Sequence, residues 1–301
     1  MATYVGLDFG GTKLAAGVAD ETGRLLARAR CPTDPAAGPD GAVAALVGMV
    51  AGFGETARGP KAIGISFGGP VSPSRSHALL SHHGPGWEDF PLVERVAAIW
   101  GLPVEMDNDA NACALGEARF GAGRGQRNVL YITVSTGIGG GVVIDGGLYR
   151  GSRGLSGEIG HTIVQPGGPL CACGKRGCLE ATSAGPSIAR AYAEATGAAV
   201  DAAEVFLRAG SGDAAARRVL DEAIRYLGIG LANAINLFDP DLVIVGGGVS
   251  QAGEALFDPL REVVAEFNAP SPAGAVPIVA AALGDASGIL GAVALAGLAA
   301  E

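Results

Sequence analysis

The sequence predicts an α/β protein of two domains facing one another across a cleft, and three observations lead there. Predicted strands and helices alternate, and strands stop at glycines such as Gly68 and Gly69 or Gly246, Gly247 and Gly248, where α/β proteins collect their ligands. A pattern of strand, glycine turn and strand occurs twice, at residues 4–19 and again at 129–144. The composition, 49% hydrophobic and 17% charged with 5% aromatic residues and 50 glycines, provides an aliphatic core and tight turns.

Residues 4–8 form a β-type run, followed by Gly10, Gly11 and Thr12, a second run at 14–19 and a turn at 20–23. Two such runs about a bend of small residues read as a hairpin. Residues 39–57 predict a helix, 62–67 a strand, 90–100 a helix and 104–106 a short strand. A helix over 109–120 follows, with Asn108 or Asp109 as its N-cap. The second copy runs through a strand at 129–134, a loop at 135–141, a strand at 142–144 and a turn at 145–147. Helices at 187–196 and 214–237 precede a buried strand at 242–245. The uncharged stretch 286–300 is short for a membrane span and reads as a buried helix. It is expected to complete a smaller N-terminal domain over 1–110, leaving 111–285 as a larger domain that carries the cysteine cluster. No low-complexity linker separates the two, which predicts a hinge.

A net charge of −9 argues against a broad nucleic-acid or anionic-membrane surface. It does not exclude ATP, because backbone N–H groups and Mg²⁺ neutralise phosphates locally. Residues 1–8 have neither a basic leader nor an apolar signal core. The expectation is a soluble cytoplasmic protein.

Asp8-Phe9-Gly10-Gly11-Thr12-Lys13 sets a carboxylate at a strand end before a glycine turn. Phosphate oxygens approach only where side chains are absent; Thr12 and nearby N–H groups can donate to them, and Asp8 can hold Mg²⁺ or its waters. The spacing is not that of a P-loop, and an ordinary hairpin turn would read the same way. The second loop, 135–141, makes a paired phosphate clamp, and Gly246, Gly247 and Gly248 could admit an adenine ring against backbone. Asn108-Asp109 stands at a strand-to-helix junction. Asp109 there either caps its helix or accepts the proton of an attacking hydroxyl in phosphoryl transfer.

His161, Cys171, Cys173 and Cys178 fall close together, with Glu158 before and Glu180 after them. Three thiolates and an imidazole complete a tetrahedral Zn²⁺ shell with no position for water, which is a structural site. A disulfide would need an oxidising compartment. Cys31 and Cys113 have no such neighbours and read as buried thiols. A metal held there would fix Glu158 and Glu180, carboxylates able to bind sugar hydroxyls, without touching a substrate itself.

These motifs together resemble the ROK family of bacterial sugar kinases and repressors over essentially the whole chain. The resemblance rests on the Asp8 to Lys13 motif, Asn108-Asp109-Ala110-Asn111-Ala112, Ser135-Thr136-Gly137-Ile138-Gly139-Gly140-Gly141, Gly157-Glu158-Ile159-Gly160-His161 and the run from Cys171 to Glu180. It implies an actin-like, ribonuclease-H-like fold whose two α/β domains close on ATP and sugar, with Mg²⁺ and a structural Zn²⁺. By the same resemblance Asp109 is the general base for a hexose 6-hydroxyl, and Asn108, Asp109, Glu158, His161, Glu180 and Gly69 bind the sugar. Asp8, Gly10, Gly11, Thr12, Lys13, Thr136 and Gly137 face the phosphates and Mg²⁺, with Gly247 and Gly248 near adenosine; His161, Cys171, Cys173 and Cys178 hold zinc. A homo-oligomer, dimer or tetramer, is also implied.

Glucose is the first candidate substrate. N-acetylmannosamine, N-acetylglucosamine, mannose and fructose stay open, because the stretch Ser81-His82-His83-Gly84 lacks an Asn that many ROK glucokinases carry there; His82 or His83 would replace that contact. A sugar-sensing ROK regulator is the non-enzyme alternative. It would need a helix-turn-helix arm, whereas the first strand here starts by Tyr4.

Overall fold

The computed structural model describes residues 1–80, 84–270 and 274–300. In chain order these form strands β1 (Thr3–Phe9), β2 (Lys13–Asp20) and β3 (Leu25–Pro32), helix α1 (Gly38–Gly52), strand β4 (Ile63–Phe67), helix α2 (Leu92–Trp100), strand β5 (Val104–Asn108) and helix α3 (Asp109–Phe120). Strands β6 (Val129–Val134), β7 (Ile138–Ile144) and β8 (Gly147–Tyr149) follow, then helices α4 (Leu179–Ser183), α5 (Gly185–Thr196), α6 (Ala202–Gly210) and α7 (Ala214–Phe238). The chain ends with β9 (Leu242–Gly246), α8 (Glu254–Phe267), β10 (Ile278–Ala280) and α9 (Ser287–Ala299).

Two five-stranded sheets result, ordered β3-β2-β1-β4-β5 and β10-β9-β6-β7-β8. In the first, β1 to β3 pair antiparallel while β4 and β5 continue parallel to β1. Read from its other edge, the second has the same order, with β9 and β10 parallel to β6 and β8 antiparallel to β7. The hairpin repeat in the sequence is thus a repeat of whole-sheet topology, of the ribonuclease-H type.

The chain divides into two compact units: residues 1–125, 141–156 and 282–301, and residues 126–140 and 157–281. Strand alternation builds the first. Val5, Leu7 and Phe9 of β1 and Ile63, Ile65 and Phe67 of β4 face one core with Leu46, Val50, Leu92 and Val96 of α1 and α2. Phe9, Phe67 and Trp87 fill its end, their ring centroids 5.0 to 6.5 Å apart. The opposite face bears Gly6 and Gly64, and α9 lies directly on it. A Cβ on Gly64 would overlap the Ala292 carbonyl, and one on Gly116 of α3 would lie 2.9 Å from the Gly291 Cα. Helix α9, covered by the sheet on one side and by α3 on another, is apolar all round for that reason.

The domain boundaries therefore differ from those expected. Residues 111–125 belong with the first unit because α3 packs on α9, with Ala112 and Leu115 against Ala294 and Leu295. Residues 141–156 join it too: a Cβ on Gly141 would meet the Ala114 Cβ at 2.5 Å. The first unit is the larger of the two, and its last segment opens at 282. Glu117, fully buried on α3, secures that segment by accepting from the Ala282 and Leu283 N–H groups at 3.1 and 2.9 Å and from Ala122 N–H at 2.9 Å.

Two local expectations also change. The helix expected over 39–57 stops at Gly52, and a 3₁₀ turn, Gly54–Ala57, begins at a glycine with φ 55°. Residues 138–141 are strand, not loop; their glycines admit close neighbours, as where a Cβ on Gly140 would sit 2.9 Å from the Ile159 side chain. In the second unit α7 forms the spine on which α4, α5, α6 and α8 pack. Among the described residues no helix is long and apolar enough to cross a membrane.

Gly64→Ala should destabilise the protein by about 3 kcal/mol, since neither backbone can yield to the added methyl; the urea unfolding midpoint measures this.

Candidate active-site elements

In the first unit, parallel pairing ends three strands in one row. Phe9 pairs with Phe67 and Phe67 with Asn108, so the turns opened by Gly10, Gly68 and Asp109 stand side by side. Gly10 N–H donates to the Lys13 carbonyl at 3.1 Å, closing the first glycine turn, and the Thr33 hydroxyl donates to the Gly10 carbonyl at 2.7 Å. Gly69 N–H donates to the Phe67 carbonyl at 2.9 Å, and a Cβ there would crowd the Leu80 carbonyl.

Asp8 pairs laterally with Ser66, whose hydroxyl donates to Asp8 Oδ1 at 2.9 Å. Its carboxylate lies against Gly288 in the first turn of α9, where any side chain would overlap it. Burial pushes the Asp8 carboxyl up to about 6, against the opposing pull of the Ser66 hydrogen bond and the Lys13 charge. A largely enclosed carboxylate beside a glycine turn suits a hydrated divalent cation, whose charge would offset the desolvation.

Asn108 is the cap of α3: its Oδ1 accepts from Asn111 N–H at 2.9 Å. The Asn108 amide also donates to Asp109 Oδ1 at 3.1 Å, and Ala110 N–H donates to the same oxygen at 2.8 Å. Two donors on one oxygen orient the exposed Asp109 carboxylate. The N-cap is Asn108, and Asp109 is the first residue of the helix.

In the second unit His161 closes a 3₁₀ turn, Ile159–His161, rather than a full helical turn from Glu158. Gly174 and Gly177, at φ 83° and 78°, bend the cysteine knuckle, and Cys171 N–H donates to the Lys175 carbonyl at 2.8 Å. His161 Nδ1 is 3.7 Å from Cys171 Sγ, Cys173 Sγ is 3.6 Å from Cys178 Sγ, and the four donor atoms lie within 4.8 Å of one another. Tetrahedral zinc thiolates have edges of about 3.8 Å, so the donor set fits Zn²⁺ in kind and spacing. Burial pushes the Cys171 thiol up to about 12 and the Cys178 thiol upward, while a backbone hydrogen bond at Lys175 lowers Cys173. Bound zinc would supply the charge that keeps such buried sulfurs as thiolates. The other ring nitrogen of His161, Nε2, is 3.8 Å from Glu158.

Glu180 links this knuckle to the second glycine loop. Its Oε2 accepts from Ile138 N–H at 3.0 Å and its Oε1 lies 3.6 Å from Cys171 Sγ. A Cβ on Gly137 would sit 2.6 Å from Glu180 Oε2 and displace that carboxylate from the loop. The sequence pairs Glu180 with the metal but does not reveal this bond to the loop.

A cavity of about 680 Å³ opens beside the same loop, lined by Thr136, Gly185, Phe206, Leu207, Gly248 and Val249 among others. Gly247, at φ 86°, lets the backbone turn against the Val134 carbonyl immediately before the lining residue Gly248. The apolar wall comes from α6, which the sequence reading missed. Its signals were Asp201, whose side chain accepts from Glu204 N–H at 2.9 Å, and an apolar stripe ending at Phe206 and Leu207. His82 and His83 lie outside the described residues.

The model of the ROK family matches residues 4–298. A glucokinase of Thermotoga maritima is 37% identical over 304 residues, covering 96% of this chain and 95% of that protein. An N-acetylmannosamine kinase of Salmonella typhimurium is 37% identical over 294 residues, 98% of each chain. The crystal structure of a ROK family glucokinase from Streptomyces griseus in complex with glucose and AMPPNP superposes with a TM-score of 0.83 at 38% identity, covering 99% of this chain and all of that one.

Purified protein should carry zinc, and Cys173→Ser should lose it and unfold at a lower temperature; elemental analysis beside a melting curve checks both. Asp8 has a folded pKa raised from 3.8 to about 6. Its neutral form therefore favours the folded state, and that contribution is lost as pH rises through the folded value. Asp8→Asn, which keeps an acceptor for Ser66, should match the wild type in urea midpoint below pH 4 and exceed it at pH 8.

Proposed function

The chain belongs to the ROK family, and we propose that it is an ATP-dependent hexose kinase acting on the 6-hydroxyl, with glucose as first candidate. The observation that carries this reading is the Asn108–Asp109 turn, where a rigid strand end and two donors aim one exposed carboxylate. Asp109 accepts the proton of the sugar hydroxyl as the O6–P bond forms and the bond from the γ-phosphorus to the bridging oxygen breaks, releasing ADP.

The remaining roles divide by unit. In the first, Gly10, Gly11, Thr12 and Lys13 receive phosphate oxygens, Asp8 holds the Mg²⁺ hydration shell, and Asn108 and Gly69 contact sugar. In the second, Thr136 and Gly137 receive phosphate, and Gly247 and Gly248 lie near adenosine, Gly248 lining a cavity whose volume suits a nucleoside. Glu158, His161 and Glu180 hydrogen-bond sugar hydroxyls. Zinc held by His161, Cys171, Cys173 and Cys178 would supply rigidity and no chemistry, keeping His161 and its neighbouring glutamates in place. Reduced thiols and ATP both suit the cytoplasm.

Phosphorylation of N-acetylmannosamine is the second reading. It is favoured by the identity to the Salmonella kinase, which equals that to the Thermotoga glucokinase. An ATP-coupled assay over hexoses and N-acetylhexosamines decides between them: the highest kcat/KM is expected for glucose, and a preference for N-acetylmannosamine reverses the assignment. Asp109→Asn should keep sugar affinity and lose kcat by about 10³-fold; near-normal turnover would remove Asp109 as the base.

A further inference from the structure

Beneath the Asn108–Asp109 turn lies a charged network that the proposed roles do not use. Asp107, almost fully buried on β5, accepts from Asn108 N–H and from the Asn111 side-chain amide, each at 2.9 Å and each through Oδ1. Its other oxygen accepts from Arg150 Nε at 2.5 Å, and Arg150 Nη2 donates to Glu105 at 3.2 Å. Arg75 donates to the same Glu105 oxygen at 2.9 Å. Strand alternation puts Glu105 and Asp107 on one face, and the row through Asp107 continues to Ser66 and Asp8.

The Asp107 end of this network meets the start of α3. Asn108 N–H and the Asn111 side chain are the two groups Asp107 holds, and Asn108 in turn caps the helix and donates to Asp109. Arg150 offsets the charge of the buried Asp107 carboxylate and fixes it in place, since a buried carboxylate without its cation is strongly unfavourable. Its planar fork engages Asp107 and Glu105 together, which a single ammonium cannot reproduce.

We infer that Arg150 is a positioning residue for the reaction, fixing the orientation of the Asp109 carboxylate through Asp107, Asn108 and Asn111. This rests on the reading of Asp109 as general base. Because Asn108 also contacts sugar in the proposed function, a role in orientation should lower turnover far more than it weakens binding.

The test compares Arg150→Met and Arg150→Lys in the full-length protein, each alone and in an Asp109→Asn background, with glucose and ATP. Arg150→Met should lower kcat by about 100-fold, as a displacement of order 1 Å in a reacting group does. KM for both substrates should move less than about threefold, and Arg150→Lys should recover about tenfold of the loss. In the Asp109→Asn background Arg150→Met should add nothing, since two residues acting through one group are not additive. Should Arg150→Met fail to fold, Asp107→Asn is read in the same way. Turnover within about threefold of wild type, or an equal further loss in the Asp109→Asn background, overturns the inference. An active Asp109→Asn would overturn the general-base reading and this link together; an inactive Asp109→Asn beside a fully active Arg150→Met overturns this link alone.

Discussion

The seating of α9 on bare backbone is the constraint on which the first unit depends. Gly6, Gly17 and Gly64 leave the sheet flat enough for a helix to lie at backbone distance, and Gly116 meets Gly291 on the other side. Such contacts gain dispersion over a large area without long side chains. They also explain the small residues of a core with few aromatics. Because α3 is fixed by the same helix, the strand-to-helix junction bearing Asp109 inherits its stiffness from a segment remote in sequence. Glu117 adds a polar fastening at the entry to that segment, with three backbone donors on one buried carboxylate.

Polar economy marks the second unit. One carboxylate, Glu180, is shared by the cysteine knuckle and the loop at Thr136 and Gly137. A short loop rich in glycine has little intrinsic order, and a backbone hydrogen bond to a charged acceptor is among the stronger ways to impose it. The loop therefore takes its shape from a side chain forty residues further on, and the knuckle takes its shape from its own tight turns and four convergent donors.

Much of this was legible in the sequence. Alternating β-type runs identified β1, β2, β4, β6 and β9, and the doubled hairpin announced the doubled sheet. The convergence of His161, Cys171, Cys173 and Cys178 was legible because the spacing of soft ligands is a local property. Domain boundaries were not, because the assignment of 111–125 and 141–156 depends on packing against α9 and α3, which no local pattern records. The glycines at 139–141 misled for a related reason: glycine reads as loop, whereas here its missing side chain makes room for neighbours within a strand. Amphipathic α6 and α8 were passed over for want of a motif, although α6 walls the cavity. Arg150 was invisible as a functional residue, since only the fold brings it under Asp107.

The interleaving of the two units gives the chain an order of completion. The second unit draws on residues 126–140 and 157–281, so its parts have all been synthesised before 282–301 are made. The first unit begins earlier and finishes later. Until α9 is synthesised, the glycine-lined face of its sheet and the inner face of α3 have no cover. The nascent chain thus holds an open, apolar half-domain while the second half-domain matures, a state in which chaperone capture or aggregation competes with docking of the last helix.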